Sequence, residues 1–210
     1  MQWTLAFVGV FAIFIPALML PGPDFIAVVR SSMARGARAG LMTTCGVTLG
    51  LGLYAGLSLI GLSAILVQYQ WLAWLVRVLG GLYLGYLGLK LLMSKPAEVE
   101  IDGEAGARHG NPLVFGFLVT LTNPKAIVLF TSVFATAVTD AMPLWVMAAM
   151  IGLVMVSAAV WYTLVTLFMS SRRVIARFEN ARHVIERAAG VCFIAIGGKI
   201  LADSRNPLTP

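Results

Sequence analysis

Charge is scarce in this chain. Only 11% of its 210 residues are Asp, Glu, Lys or Arg, while 60% are hydrophobic and the mean hydropathy is +0.91. That balance excludes a soluble globular domain. Cysteine and histidine are nearly missing, two of each. His109 and His183 fall in expected loops and Asp24 is the one acid inside an apolar run, so a metal-ion exporter lacks a ligand set and no metal site is expected. No Ser-His-Asp arrangement, phosphate loop or pair of catalytic carboxylates occurs in the apolar segments; the chain does not read as an enzyme, and no cofactor is implied. The opening residues Met1-Gln2-Trp3-Thr4 lack the basic start of a secretory signal, and the apolar run continues past any cleavage site, so the first segment is expected to remain as a helix.

What the chain has instead is apolar length. At about 20 residues per membrane crossing, the runs fit six spans: 3 to 29, 40 to 66, 71 to 93, 112 to 138, 143 to 169 and 186 to 203. The expected class is an all-α integral membrane protein. Cytoplasmic loops collect Lys and Arg. Here 11 of the 15 basic residues lie on alternate links: Arg30, Arg35 and Arg38; Lys90, Lys95 and Arg108; and Arg172, Arg173, Arg177, Arg182 and Arg187. The links Val67 to Trp71 and Thr139 to Pro143 carry none, which places both termini on the outer side of the membrane. Tyr69, Trp71, Trp74 and Trp145 fall at the expected outer boundary, where amphipathic rings are favoured. The net charge of +6 is therefore an orientation signal and an attraction to anionic lipid, and no nucleic-acid partner is expected, because aromatic and basic residues are not interleaved on a polar surface.

A polar stretch at 94–111, with Glu98, Glu100, Asp102 and Glu104, reads as a solvated cytoplasmic linker. It divides the chain into three-helix repeats at 1–93 and 112–210. Arg77, Gly80, Gly88 and Leu91 correspond at one offset to Arg187, Gly190, Gly198 and Leu201; Pro23 and Pro124 correspond at another. Three spans per copy is an odd number, so the copies are inverted in the membrane, the arrangement of secondary transporters with a midplane site.

Helix breakers interrupt spans one and four, at Pro21-Gly22-Pro23-Asp24 and Asn123-Pro124-Lys125. Proline suits the first position of a helix after a capping residue. Gly22 and Asn123 are the expected caps, Pro23 and Pro124 the first helical residues, Asp24 and Lys125 the second. Two half-helix N-termini with free N–H groups then face the interior. Asp24 complements such an end. Lys125 does not, and its burial costs roughly 3 kcal/mol on insertion scales, so a partner is required: Asp24, or the carboxylate of a substrate. A permanent Asp24–Lys125 pair that pins the halves together, or a Lys125 that snorkels to the surface, is the purely structural alternative. A small amino acid fits the charges, its ammonium on Asp24 and its carboxylate on Lys125, Asn123 and the exposed amides. Asp24 is also the expected proton-coupling residue.

These motifs resemble a known family. Pro21-Gly22-Pro23-Asp24-Phe25, then Arg30, the Arg35-Gly36-x-Arg38-x-Gly40 turn, Gly46 and Gly50, together with Asn123-Pro124-Lys125-Ala126 and Gly81-x-Tyr83-Leu84-x-Tyr86-x-Gly88, are similar to the lysine exporter (LysE) superfamily and its homoserine and threonine efflux branch. The resemblance covers nearly the whole chain and implies a proton-driven exporter of amino acids or close derivatives. Broader relatives include membrane electron carriers that use a cysteine pair, so a thiol oxidoreductase using Cys45 and Cys192 is a second reading. Neither cysteine adjoins a proline, and buried cysteines ordinarily fill space. Gly46 with Gly50, Gly52 with Gly56, and Gly81 with Gly85 stand at small-x-x-x-small spacing, suited to internal helix contacts or to a homodimer face. Thr43, Thr44, Thr48 and Ser58 give span two a polar stripe, expected mostly to bond back to their own helix.

Overall fold

The computed structural model describes residues 2–68, 70–93, 110–137, 142–168 and 172–204. These form α1 (Gln2–Met19), α2 (Pro23–Arg35), α3 (Ala37–Gln68), α4 (Gln70–Met93), α5 (Pro112–Leu121), α6 (Pro124–Ala137), α7 (Leu144–Phe168) and α8 (Arg172–Asp203), with no strand among the described residues. Most of the expected linker, together with His109 and Tyr69, lies outside them.

By length and composition, α3 over Ala37–Gly61 and α7 over Leu144–Phe168 can each cross a membrane alone. Two bent pairs pass the same test jointly, α1 with α2 at 44° and α5 with α6 at 56°. α4 offers a shorter apolar stretch, Val78–Met93, after the charge of Arg77. Residues 172–186, expected as a basic link, are instead helical: α8 runs unbroken for 32 residues and carries His183. At 1.5 Å per residue that is about 48 Å, more than a bilayer core of about 30 Å, so its basic first half extends past the apolar layer.

Glycines decide which helices meet. On α3, a Cβ at Gly46 would collide with the Leu113 carbonyl of α5, and one at Gly50 would lie 2.8 Å from the Thr120 Cβ; on α5, a Cβ at Gly116 would strike the Thr43 carbonyl. The two helices run parallel with their backbones touching. The other face of α3 packs antiparallel to α7, Gly52 against Met155 and Gly56 near Ile151, while α4 and α8 lie antiparallel with Gly81 on Gly197 and Gly88 on Gly190. Gly46, Gly50, Gly52 and Gly81 are thus spent on contacts inside the chain, whereas a Cβ at Gly85 would meet nothing within 4 Å.

Outward-facing positions are apolar. Leu41, Cys45, Leu49, Leu53 and Leu57 repeat every four residues along one exposed stripe of α3, as lipid-facing residues do. This corrects the expectation that the cysteines are buried: Cys45 and Cys192 are both free and exposed, because each falls on the outer side of its helix. The hydroxyl stripe divides as well. Thr43 bonds back to the Ala39 carbonyl at 3.0 Å, whereas Thr44 crosses to α7, 3.3 Å from the Tyr162 carbonyl and 3.3 Å from the Thr166 hydroxyl.

Because Gly46 meets backbone rather than a movable side chain, Gly46→Ala is expected to destabilise the protein by about 1–3 kcal/mol. Gly152→Ala, where nothing lies within 4 Å, should be neutral. Thermal unfolding of both variants in detergent provides the comparison.

Candidate functional site

Each helix break leaves backbone groups that water cannot satisfy at membrane depth. In the first break, Gly22 is the N-cap of α2, with Pro23 and Asp24 following. In the second, the Asn123 side chain accepts the Lys125 backbone N–H at 3.0 Å, and Pro124 opens α6. The expected caps and first helical residues are in place.

The charged side chains then reach across to the opposite break. Asp24, only 6% exposed, accepts hydrogen bonds from Thr120 Oγ1 at 3.0 Å and from Asn123 Nδ2 at 3.0 Å, one on each carboxylate oxygen. Thr120 has a single hydroxyl proton and also lies 3.2 Å from the Gly116 carbonyl; the shorter, charge-assisted bond is the stronger. Lys125 Nζ donates to the Ala17 carbonyl at 2.7 Å and to the Leu20 carbonyl at 3.3 Å. Ala17 is orphaned for a definite reason: its partner in a continuous helix would be the N–H of residue 21, which is proline. The ammonium therefore caps the negative end of α1, where a cation is favoured, and this offsets its unfavourable place at the start of α6. None of these bonds joins Asp24 to Lys125 directly. Two bonds run from the second break to the acid and two from the ammonium to the first.

Sequence reasoning missed three further residues here. Tyr54 of α3 donates to the Leu121 carbonyl at 2.7 Å, capping α5 as Lys125 caps α1. Thr120 lies one turn before Asn123 on the same face, a spacing that marks it once the break is known. Tyr162 of α7 is 3% exposed and lines the cavity between the breaks; no local pattern distinguishes it. The cavity wall also includes Phe14, Leu18, Leu51 and Phe130, and Phe130 packs edge-on to Phe14 at 5.7 Å and stacks near Tyr54 at 6.2 Å. Its volume is about 20 Å³, room for one water. A larger cavity of about 340 Å³ opens between α1 and α7, and Leu18 lines both. No cluster of His, Cys, Asp and Glu able to hold a metal occurs among the described residues.

Interrupted apolar helices whose breaks hold a buried acid and a half-buried ammonium are the architecture of a membrane transporter. The chain belongs to the LysE type translocator family, whose model matches residues 15–204. It is 32% identical over 195 residues to the threonine efflux protein of Escherichia coli, covering 91% of this chain and 95% of that protein. Its identity to the threonine efflux protein of Salmonella typhimurium is 31% over 197 residues, with the same shares covered. With the leucine efflux protein of Salmonella choleraesuis it is 35% over 127 residues, 59% of this chain and 58% of that one. No solved structure matches the chain significantly.

Asn123 supports both breaks, so Asn123→Ala should cost about 2 kcal/mol, from the lost cap and the lost bond to a buried carboxylate. Asn123→Ser restores the cap alone and should recover part of it. Unfolding midpoints of the two variants in detergent measure the difference.

Proposed function

We propose that the chain is a secondary active exporter of amino acids or their close derivatives across the bacterial inner membrane, built as two inverted three-helix repeats, 1–93 and 112–210, with the site where they meet. The observation that carries this reading is the exchange of charges between the breaks. Asp24 from the first is held by Thr120 and Asn123 of the second, and Lys125 from the second is held by Ala17 and Leu20 of the first. The antiparallel contact of α4 with α8 suits an inverted pair, and the relatives named above are threonine and leucine efflux proteins.

The groups present match a zwitterion. An ammonium has three donors and Lys125 has committed two, leaving one N–H for a substrate carboxylate. Each Asp24 oxygen has accepted one bond and retains a lone pair for a substrate ammonium. With the wall otherwise mostly apolar, a neutral side chain suits the space better than a charged one. A volume of about 20 Å³ is far below what an amino acid requires, so this is a contracted state and substrate must part the walls. Asp24 is the proton-coupling group in this reading, exchanging a proton for substrate as the walls part. Lipid covers the exposed apolar stripe of α3, both termini face the periplasm, and one protomer holds a complete site. A homodimer would join copies through outward-facing positions. The thiol-carrier alternative finds no support in two cysteines that face outward from α3 and α8.

A host overproducing this protein, grown on a panel of inhibitory amino acids and analogues, should gain resistance to threonine-like or leucine-like compounds. Lys125→Ala and Asp24→Asn, present in the membrane at normal levels, should each reduce that efflux at least about ten-fold, since each removes a charge-assisted contact to substrate. Replacing Cys45 and Cys192 together with Ala should leave it unchanged. Full efflux in Asp24→Asn and Lys125→Ala would remove the two breaks from the mechanism.

A further inference from the structure

Three helices that wall the cavity between the breaks also meet beside it. Asp24 of α2, Leu51 of α3 and Tyr162 of α7 line that cavity. From there each helix continues toward the level of the turn between α2 and α3, and each carries buried hydroxyls on the way: Ser31 and Ser32, Thr48 and Thr44, and Thr166. They touch one another. Thr44 Oγ1 is 3.3 Å from Thr166 Oγ1, and a Cβ on Gly40 would collide with Ser32 Oγ and lie 2.7 Å from Thr166 Cγ2. Gly40, Thr44, Thr48 and Leu51 share one face of α3, so the row runs about 16 Å from the closed point at Gly40 to the cavity. In the other direction the buried positions are apolar, Val10 and Ile13 of α1, Leu59 of α3, Met150 and Val154 of α7, with Ser58 the exception.

Thr48 is the informative member. It is 8% exposed, and its hydroxyl has no hydrogen-bond partner among the described residues. A buried threonine on a helix ordinarily bonds back to its own turn, as Thr43 does. A buried polar atom left without a protein partner costs free energy, so its place in the fold calls for a functional reason. The wider opening in the molecule does not suit a charged solute. The groove between α1 and α7 is walled by Ile15, Leu18, Val156, Val160 and Leu164, and moving both charges of a zwitterion past them would forfeit their hydration.

We infer that the hydroxyl seam of α2, α3 and α7 is the path along which substrate travels between the cytoplasm and the site, closed in this state at Gly40, with the Thr48 hydroxyl bonding to the zwitterion as it passes. This rests on the export reading above and on its placing of the α2–α3 turn at the cytoplasmic face. A hydroxyl both donates and accepts, so one row serves a carboxylate and an ammonium in succession. The closed point is side chain against glycine, so it opens by withdrawal of Ser32 and Thr166 and does not require main chain to part from main chain, as it would at Gly46.

Thiol accessibility tests the path. In a chain with Cys45 and Cys192 replaced by Ala, single cysteines are placed at Thr48, at Val160 in the α1–α7 groove and at Ala37, which is exposed beside the α2–α3 turn. Each is challenged with a membrane-impermeant cationic thiol reagent on inside-out and on right-side-out membrane vesicles. Ala37→Cys should react on the inside-out vesicles and so mark the cytoplasmic side. Thr48→Cys is expected to react from that same side, about ten-fold faster with threonine or leucine present than without, as substrate shifts the population toward open states, and to lose its efflux once modified. Val160→Cys, facing lipid, should stay unmodified. Thr48→Val removes the hydroxyl at constant shape. It should unfold no lower than the wild-type chain, since no protein hydrogen bond is lost, and its maximal efflux rate should fall about five-fold, the worth of one hydrogen bond; Thr48→Ser should recover most of that rate. A Thr48→Cys variant that fails to react from the Ala37 side, reacts equally with and without substrate, or keeps its efflux once modified overturns the path. So does Thr48→Val at full rate, Ala37→Cys reacting only on right-side-out vesicles, or loss of efflux on modification of Val160→Cys; each leaves export itself standing. A wild-type chain that moves neither threonine nor leucine overturns both.

Discussion

A helix interrupted inside a bilayer exposes backbone groups where no water can reach them, and everything at the centre of this protein answers that constraint. Pro21 denies the Ala17 carbonyl its helical partner, and Lys125 supplies one from the other half of the chain. Pro124 does the same to Thr120, whose carbonyl turns to the Asn123 N–H at 3.0 Å, while Tyr54 takes the neighbouring Leu121 carbonyl. The groups that would hold a zwitterion are therefore also the groups that keep the breaks solvated by protein.

Much of this was readable in the residues. The ends of α3 and α7, the start of α5 and the end of α6 fall within a few residues of the apolar runs, because hydropathy reports the bilayer directly. The caps at Gly22 and Asn123 follow from proline chemistry, which is local. What was not readable depends on tertiary approach. Nothing in the sequence near Lys125 indicates the end of α1, more than a hundred residues away, and the simplest electrostatic guess, a pair with Asp24, gives way to a better partner. Tyr54 and Tyr162 enter the site only because glycines bring α3 against α5 and α7. The outward position of Cys45 depends on which face of α3 those glycines commit to the interior. The helical form of residues 172–186 was hidden by their charge, which marks a segment as cytoplasmic without saying whether it is coiled.

Packing and chemistry are divided between faces of the same helices. Gly46 and Gly50 bring α3 onto α5, and the same approach sets Thr120 beside Asp24. Phe14 and Phe130 line the chamber, Phe130 packs on Tyr54 behind it, and apolar walls of this kind strengthen the electrostatic contacts beside them. The translocator family to which the chain belongs supplies the general task.

The contact of α3 with α5 has a mechanical side. Side chains can exchange rotamers and let two helices slide, but a seam made of main chain against main chain has no such freedom; it either holds or parts completely. That seam ties α3 to Thr120 and the Leu121 end of the second break, where Tyr54 adds its own bond. The seam between α1 and α7 is lined instead by side chains such as Leu18 and Trp161 around an open groove of about 340 Å³, and contacts of that kind can rearrange where a main-chain seam cannot.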